Sequence, residues 1–217
     1  MRYRNTLFAA AVMGGVGLSS CATLQPPDTV PQSGVSGWST YTVGPSGLEF
    51  EYRDDWSVEE AAALANDPAG GVSLRVYDGA GRAIAWLDTG IITDQVCTPL
   101  QEPVSYTEYD AQPMPELASA QGTSQRFVYR SLLPSGAGSA VVTYAVVSAP
   151  PPSAEEAACG LFDFFSLTEA SGGRFAGVVP PDEGGGPQQH LEKAAAYEDS
   201  QEFRDVKRML MSLRNTG

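Results

Sequence analysis

The sequence has few of the residues on which nucleic-acid binding and acid–base catalysis depend. Among 217 residues there are two lysines, Lys193 and Lys207, and one histidine, His190. Proteins that bind nucleic acids neutralise phosphates with basic side chains, whereas this chain carries 26 acidic against 13 basic residues, a net charge of −13. These counts exclude nucleic acid as an expected partner, and the acidic excess indicates a solvated surface.

Motifs with a defined chemistry are also missing. The chain has no Gly-x-Ser-x-Gly elbow, no phosphate-binding Gly-rich loop with its Lys, no zinc-ligand spacing and no Asp-x-Asp-x-Asp-Gly calcium loop. His190 follows a Gly- and Pro-rich stretch, and we expect it to be exposed there without a catalytic role. The sequence therefore predicts no catalytic residue, no cofactor and no metal site.

The apolar segment Leu7–Leu18 is too short to cross a bilayer, which requires about 20 residues. It follows Arg2 and Arg4, as expected for the core of a signal peptide. The next residues, Leu18-Ser19-Ser20-Cys21, resemble the lipobox of bacterial lipoproteins. The resemblance implies that residues 1–20 are a signal peptide, removed on export, and that Cys21 is lipidated. An ordinary signal peptide with an accidental cysteine is the alternative.

Lipidation would anchor the chain to the extracytoplasmic face of the cell membrane through Cys21. In an envelope with two membranes, Ala22 at the second mature position would favour the outer one. Loss of Arg2 and Arg4 leaves 11 basic against 26 acidic residues, a net charge of −15. Residues 21–37, rich in Pro, Ser and Gly, are predicted to form a flexible tether, and residues 38–214 a single globular domain.

Two further cysteines, Cys97 and Cys159, belong to the predicted domain. Thiols oxidise in extracytoplasmic compartments, so we expect these two to form a structural disulfide. Two free buried thiols, or a redox or metal-binding pair, are the alternatives, although the chain has neither a Cys-x-x-Cys spacing nor a histidine near either cysteine.

Alternation of apolar and polar residues predicts an antiparallel sheet built from successive hairpins. The expected strands are Trp38–Val43 with Leu48–Tyr52, Trp56–Val58, Val72–Val76 with Arg82–Leu87, and Ser124–Ser131 with Ala140–Ser148. Val141–Val147 is apolar on both faces and Gly160–Leu167 is similar, which is typical of central strands. Arg174–Val179 is expected to add an edge, and Asp94–Gly122, with scattered prolines, to be a long irregular excursion.

One helix is predicted near the C-terminus. Asp199 and Glu202 fit a capping box. An apolar stripe at helical spacing, with Met209 beside it, should pack on the sheet; it comprises Phe203, Val206, Leu210 and Leu213. The expected fold is therefore α+β, an antiparallel sheet of successive hairpins with a C-terminal amphipathic helix packed on it. A β-sandwich with one appended helix is the alternative.

Two segments are similar to PsbP-like exported domains. One runs from Leu48 to Val58 and has the form apolar-x-Phe-x-Tyr followed by Trp, with Arg53 where proline is usual. The other is the C-terminal segment Glu202–Leu213, which resembles the final helix of such proteins. The resemblance implies an antiparallel sheet flanked by helices and a role in binding or assembly, and it transfers no site residue.

The sequence thus favours a non-catalytic binding or assembly module of the cell envelope, which would contact an envelope protein or polymer. A carboxylate-based glycoside hydrolase and a purely structural lipoprotein are the alternatives. For the hydrolase, the candidate acids are Asp54, Asp55, Glu59 and Glu60, or Glu108 and Asp110.

Overall fold

The computed structural model describes residues 37–62, 71–92, 104–119, 122–136, 139–148, 163–168 and 171–216. Cys21, Cys97, Cys159, the predicted signal peptide and all but the last residue of the predicted tether lie outside these ranges. The described residues form two antiparallel sheets and two C-terminal helices. The α+β fold class expected from the sequence is confirmed.

The smaller sheet has three strands in the order β1-β2-β11. Its strands are β1 (Trp38–Val43), β2 (Leu48–Arg53) and β11 (Arg214–Asn215). The predicted first hairpin is confirmed, with a short 3₁₀ turn over Gly44–Ser46 and Gly47 in the left-handed region at φ 65°. Leu48 and Phe50 are fully buried and Tyr52 is half-buried, as the alternation predicts.

The larger sheet has eight strands, seven of them in the order β3-β4-β5-β10-β8-β7-β6, with β9 paired to β10. The strands are β3 (Ser57–Ala61), β4 (Ser73–Tyr77), β5 (Ala83–Ile92), β6 (Val104–Pro113), β7 (Arg126–Pro134), β8 (Val141–Val147), β9 (Phe165–Ser166) and β10 (Ser171–Val178). The second and third predicted hairpins are β4–β5 and β7–β8. In β8 every residue after Val141 is buried, which confirms a strand covered on both faces.

Three sequence predictions for this sheet are wrong. Arg174–Val179 was expected at an edge, but β10 lies in the middle, between β5 and β8. Asp94–Gly122 was expected to be irregular, but its residues 104–113 form the edge strand β6. Of Gly160–Leu167, the described part contributes only the two-residue strand β9.

The glycines of β10 explain why its place was missed. A Cβ at Gly177 would lie 2.3 Å from the Ile84 carbonyl oxygen and 2.3 Å from the ring of Tyr144. The Tyr144 side chain crosses this strand and donates a hydrogen bond to the Ile84 carbonyl oxygen on β5. Gly177 therefore provides the space that lets an aromatic ring bridge two strands, although glycine weakens a strand signal in sequence.

Two helices, α1 (Pro187–Tyr197) and α2 (Gln201–Met211), follow the sheet. The sequence prediction missed α1, which begins with proline at its first position, a favourable place for that residue. Helix α2 matches the predicted helix, but its N-cap is Ser200, whose hydroxyl accepts a hydrogen bond from the Phe203 amide, and not Asp199. Neither helix is long and apolar enough to span a bilayer, among the residues described.

Helix α2 covers the core as its apolar stripe predicts. Phe203, Val206, Met209 and Leu210 are at most 3% exposed, and Leu213 follows at 1%. Burial of each such side chain contributes about 1.5–3 kcal/mol. Rings from the sheet meet this stripe, with Tyr129 4.9 Å and Phe127 6.2 Å from Phe203 between ring centres. The helices thus close one face of the large sheet, and a group of arginines described below lies on the other.

Candidate functional site

The carboxylates near the start of β3 do not form a catalytic pair. Asp54 accepts a hydrogen bond from the Ser39 hydroxyl at 2.7 Å, and Asp55 is paired with Arg53 at 2.8 Å. The Arg53 guanidinium lowers the pKa of Asp55, the reverse of what a general acid requires. Glu59 and Glu60 are consecutive strand residues, so their side chains point to opposite faces of the sheet.

Glu108 and Asp110 are separated by a β-bulge at Tyr109, which shifts the register between β6 and β7. Glu108 pairs with Arg126 at 2.9 Å, whereas Asp110 pairs with Lys207 of α2 at 2.5 Å. The bulge therefore directs the two carboxylates to opposite faces. Glu108 and Asp110 therefore do not face one cleft, as the two carboxylates of a glycoside hydrolase must.

His190 is buried, with 4% of its surface exposed, and the expectation that it is exposed in a linker is wrong. It lies in the first turn of α1, and its Nε2 is 2.8 Å from the Val179 carbonyl oxygen at the end of β10. Its Nδ1 has no hydrogen-bond partner within the described part of the chain. The histidine therefore docks α1 against the sheet.

The face of the large sheet opposite the helices carries four arginines, and we call it the arginine face: Arg75, Arg126, Arg130 and Arg174. The strand register places these residues on one side. Arg75 pairs with Trp86, Trp86 with Ala176, Ala176 with Ala145, and Ala145 with Val128, across five neighbouring strands. Residues paired in this way share a face, as do the residues two positions along each strand.

One half of the arginine face is a largely buried ionic cluster of side chains from β6 and β7 together with Asp163. The Arg126 guanidinium and the Tyr106 hydroxyl donate to Glu108 at 2.9 Å and 2.7 Å. Arg130, 1% exposed, donates to Asp163 at 2.5 Å. Burial raises the pKa of Asp163 against the effect of Arg130. Such ion pairs are structurally demanding, because removal of one partner leaves a charge in a low-dielectric environment.

The other half is centred on Asp88 of β5, which is 1% exposed. Its Oδ1 accepts hydrogen bonds from the Ser73 hydroxyl at 2.6 Å and from Arg75 Nη1 at 3.3 Å. Its Oδ2 accepts from Arg174 Nη2 at 3.0 Å. About a third of each arginine side chain is exposed, 32% for Arg75 and 33% for Arg174. A single buried carboxylate thus positions two partly exposed guanidinium groups.

Trp86 lies beside these arginines and is half-buried. The guanidinium carbon of Arg174 is 5.7 Å from the centre of a Trp86 ring, within the range of a cation–π contact. Trp86 Nε1 and Arg174 Nε are buried N–H groups without a hydrogen-bond partner among the described residues. A buried donor left unpaired costs about 1–3 kcal/mol, so two neighbouring ones indicate a place for an acceptor.

The floor next to Trp86 is made of small apolar side chains. Val128, Ala145, Val147 and Ala176 are fully buried and pack together with Trp86. They lie on the strands between Asp88 and Glu108, and across this region the charge of Arg174 still acts on Asp163 and lowers its pKa. The arginine face therefore has an apolar centre with a charged group on each side.

A groove of about 320 Å³ lies where the ends of β5 and β10 meet the helices. Its walls include Ile84, Val178 and Tyr197. Its charged groups have partners already, since Arg82 donates to Glu202 and Lys193 to Asp182, and the Tyr197 hydroxyl also donates to Glu202. Burial raises the pKa of Tyr197, so its hydroxyl stays protonated. The groove has the volume of a small-ligand site, and no polar side chain is directed into it without a partner.

The sequence prediction missed the arginine face because each arginine alternates with apolar residues along its strand. In Ser73–Tyr77 and Arg126–Arg130 this pattern is the same as that of a solvated sheet face. No spacing rule distinguishes such an arginine from one that pairs with a buried acid. Within the described ranges, no three His, Cys, Asp or Glu side chains are grouped as metal ligands.

No protein-family model matches the chain, and no curated protein matches it. A solved structure that is similar to it is the solution structure of cyanobacterial PsbP (CyanoP) from Synechocystis sp. PCC 6803. The two share 10% sequence identity, and the match covers 88% of this chain and 99% of that one with a TM-score of 0.34. This structure belongs to the class that the two sequence segments resemble.

Proposed function

We propose that the protein is a membrane-anchored extracytoplasmic lipoprotein that acts as a non-catalytic binding module of the cell envelope, with the partly exposed end of the arginine face around Arg75, Trp86 and Arg174 as its binding surface. The basic start, the short apolar segment and Leu18-Ser19-Ser20-Cys21 support the anchor. The scattered positions of the candidate carboxylates favour binding over hydrolysis.

The observation that carries the binding role is the group formed by Arg75, Trp86 and Arg174. Tryptophan and arginine contribute most to the energy of protein interfaces when they become fully buried there. Here about a third of each arginine side chain is exposed, yet Asp88 holds both in place, so little side-chain entropy is lost on binding. A preorganised group of this composition is what an interface needs.

The anchor is tested by replacing the lipobox cysteine. Cys21→Ser should leave the protein unprocessed or released from the membrane, whereas the natural chain stays with the membrane after an alkaline wash. Intact mass of the natural protein should show cleavage before Cys21 and added acyl chains. An unmodified thiol, or membrane retention unchanged by Cys21→Ser, would contradict lipid anchoring.

The binding surface is tested by site-specific photocrosslinking in intact envelopes. A crosslinking amino acid replaces Glu59, which is exposed and pairs with Arg75 on the arginine face, or Arg204, which is exposed on α2 as a control. We expect an adduct of one defined mass from position 59 only, and its loss when Arg75→Gln is added. Equal adducts from both positions, or none from either, would refute the assignment and favour a purely structural lipoprotein.

A further inference from the structure

We propose that Trp86 and Arg174 form a subsite that binds a single carboxylate group of the partner, an inference that rests on the proposed binding role of the arginine face. The subsite consists of the indole Nε1–H of Trp86 and the Nε–H of Arg174. Both are donors, and both lack an acceptor within the described residues.

The two donors are neighbours in the sheet. Trp86 of β5 is directly paired with Ala176 of β10, and Arg174 lies two residues before Ala176 on the same face. The guanidinium carbon of Arg174 also lies over the Trp86 ring, 5.7 Å from its centre, so the two side chains are neighbours in space. A carboxylate has two oxygens and accepts from two such donors at once.

The charge at this position favours an anion over a neutral acceptor. Arg75 and Arg174 share Asp88 as their carboxylate partner, and Arg174 engages it through Nη2, which leaves its Nε–H unused. The Nε–H of Arg174 is therefore a charged donor without an acceptor among the described residues. Hydrogen bonds from a charged donor to a carboxylate are about twice as strong as neutral ones.

The charge of the whole chain limits what kind of anion binds. With 26 acidic against 13 basic residues, the molecule repels a polyanion at long range. A partner that presents a single carboxylate escapes most of this repulsion. Both donor atoms are shielded from solvent, so the carboxylate reaches them only after a local side-chain movement, which we assign to Trp86 because no hydrogen bond holds its indole.

The test follows the two N–H groups by ¹⁵N NMR of the purified protein while sodium acetate is added at constant ionic strength. Acetamide, which has the same shape without the charge, is the matched control. We expect the Trp86 indole and Arg174 Nε–H signals to shift downfield and to saturate with one common dissociation constant. The indole signals of Trp38 and Trp56 should not change, and acetamide should have no saturable effect.

Two variants test whether the donors act together. Arg174→Lys keeps a positive charge beside Asp88 but removes the Nε–H, and Trp86→Phe keeps an aromatic ring but removes the indole N–H. Each variant should weaken acetate binding about tenfold, measured as the dissociation constant from the N–H signal of the donor that the variant retains. Arg204→Lys on α2 should leave binding unchanged. A structural role alone would not couple the two signals in this way.

The subsite is refuted if the two signals respond linearly without saturation, saturate with different constants, or respond equally to acetamide. If the subsite fails while the crosslink at position 59 persists and still depends on Arg75, the binding role stands without it. If acetate binds as expected but no crosslink forms, the subsite stands and the envelope-binding role fails.

Discussion

Replacement of Asp88 by asparagine should measure how strongly this buried carboxylate holds the arginine face together. The variant keeps the size of the side chain but loses its charge, and it turns one acceptor oxygen into an NH₂ donor. Three groups then lose an ideal partner: the Ser73 hydroxyl at 2.6 Å, Arg174 Nη2 at 3.0 Å and Arg75 Nη1 at 3.3 Å.

The expected loss of stability is about 2 kcal/mol. A hydrogen bond to a charged group contributes about 1.5–3 kcal/mol, and the asparagine oxygen keeps part of one. The arginines are 32% and 33% exposed, so each regains some hydration when the carboxylate is gone, and the cost stays below the 3–5 kcal/mol of a fully buried pair.

Urea denaturation followed by tryptophan fluorescence measures this loss, provided that the slope of the transition does not change. Asp182→Asn is the matched control, because Asp182 pairs with Lys193 at 2.6 Å but is 53% exposed. Its effect should stay below about 0.5 kcal/mol. If the two variants were equally stable, Asp88 would not be the anchor of the two arginines, and the preorganisation argued for the arginine face would be wrong.

Three other predictions concern the core and the cysteines. Gly177→Ala should destabilise by about 3 kcal/mol in denaturant titrations, because its Cβ would meet backbone and ring atoms at 2.3 Å. Gly81→Ala is the control, because a Cβ there meets no atom and only the positive φ of 77° disfavours a side chain. It should destabilise by about 1 kcal/mol, and an equal loss of stability in the two variants would contradict the packing argument. Burial raises the pKa of Asp163 above the ordinary value of 3.8, so ionisation of this carboxyl destabilises the folded state. As the pH rises from below 3.8 toward neutrality, the natural protein should therefore lose stability relative to Asp163→Asn. A stability difference that does not change with pH would contradict the raised pKa. A thiol reagent should add no label at Cys97 or Cys159 without prior reduction, and labelling of both would disprove the disulfide.

The hairpins could be predicted from sequence because one face of each strand is buried against the helices. The alternation of apolar and polar residues in Leu48–Tyr52 and Val72–Val76 therefore predicts which side chains lie in the core. The stripe of α2 was predicted for the same reason, since Phe203, Val206 and Leu210 all face inward. In these elements the local pattern and the tertiary environment agree.

Elsewhere the tertiary environment overrides the local pattern. Helix α1 has a polar sequence, and two of its residues, His190 and Ala194, are buried, so its apolar stripe was too narrow to detect. Strand β10 contains three glycines, and Gly173 and Gly177 are required by the rings of Phe165 and Tyr144, which come from other strands. The Trp86–Arg174 contact joins residues 88 positions apart, which no local spacing reveals.

The central position of β10 has a consequence for how the chain folds. The strands before it form two separate groups, β3-β4-β5 and β8-β7-β6, which are hydrogen-bonded to each other only through β10 in the described sheet. Until residue 178 is available, β5 and β8 each present an unpaired edge, and such edges readily recruit other chains. We therefore expect ribosome-bound or C-terminally truncated chains to aggregate, and export of an unfolded chain with chaperone protection would avoid this intermediate.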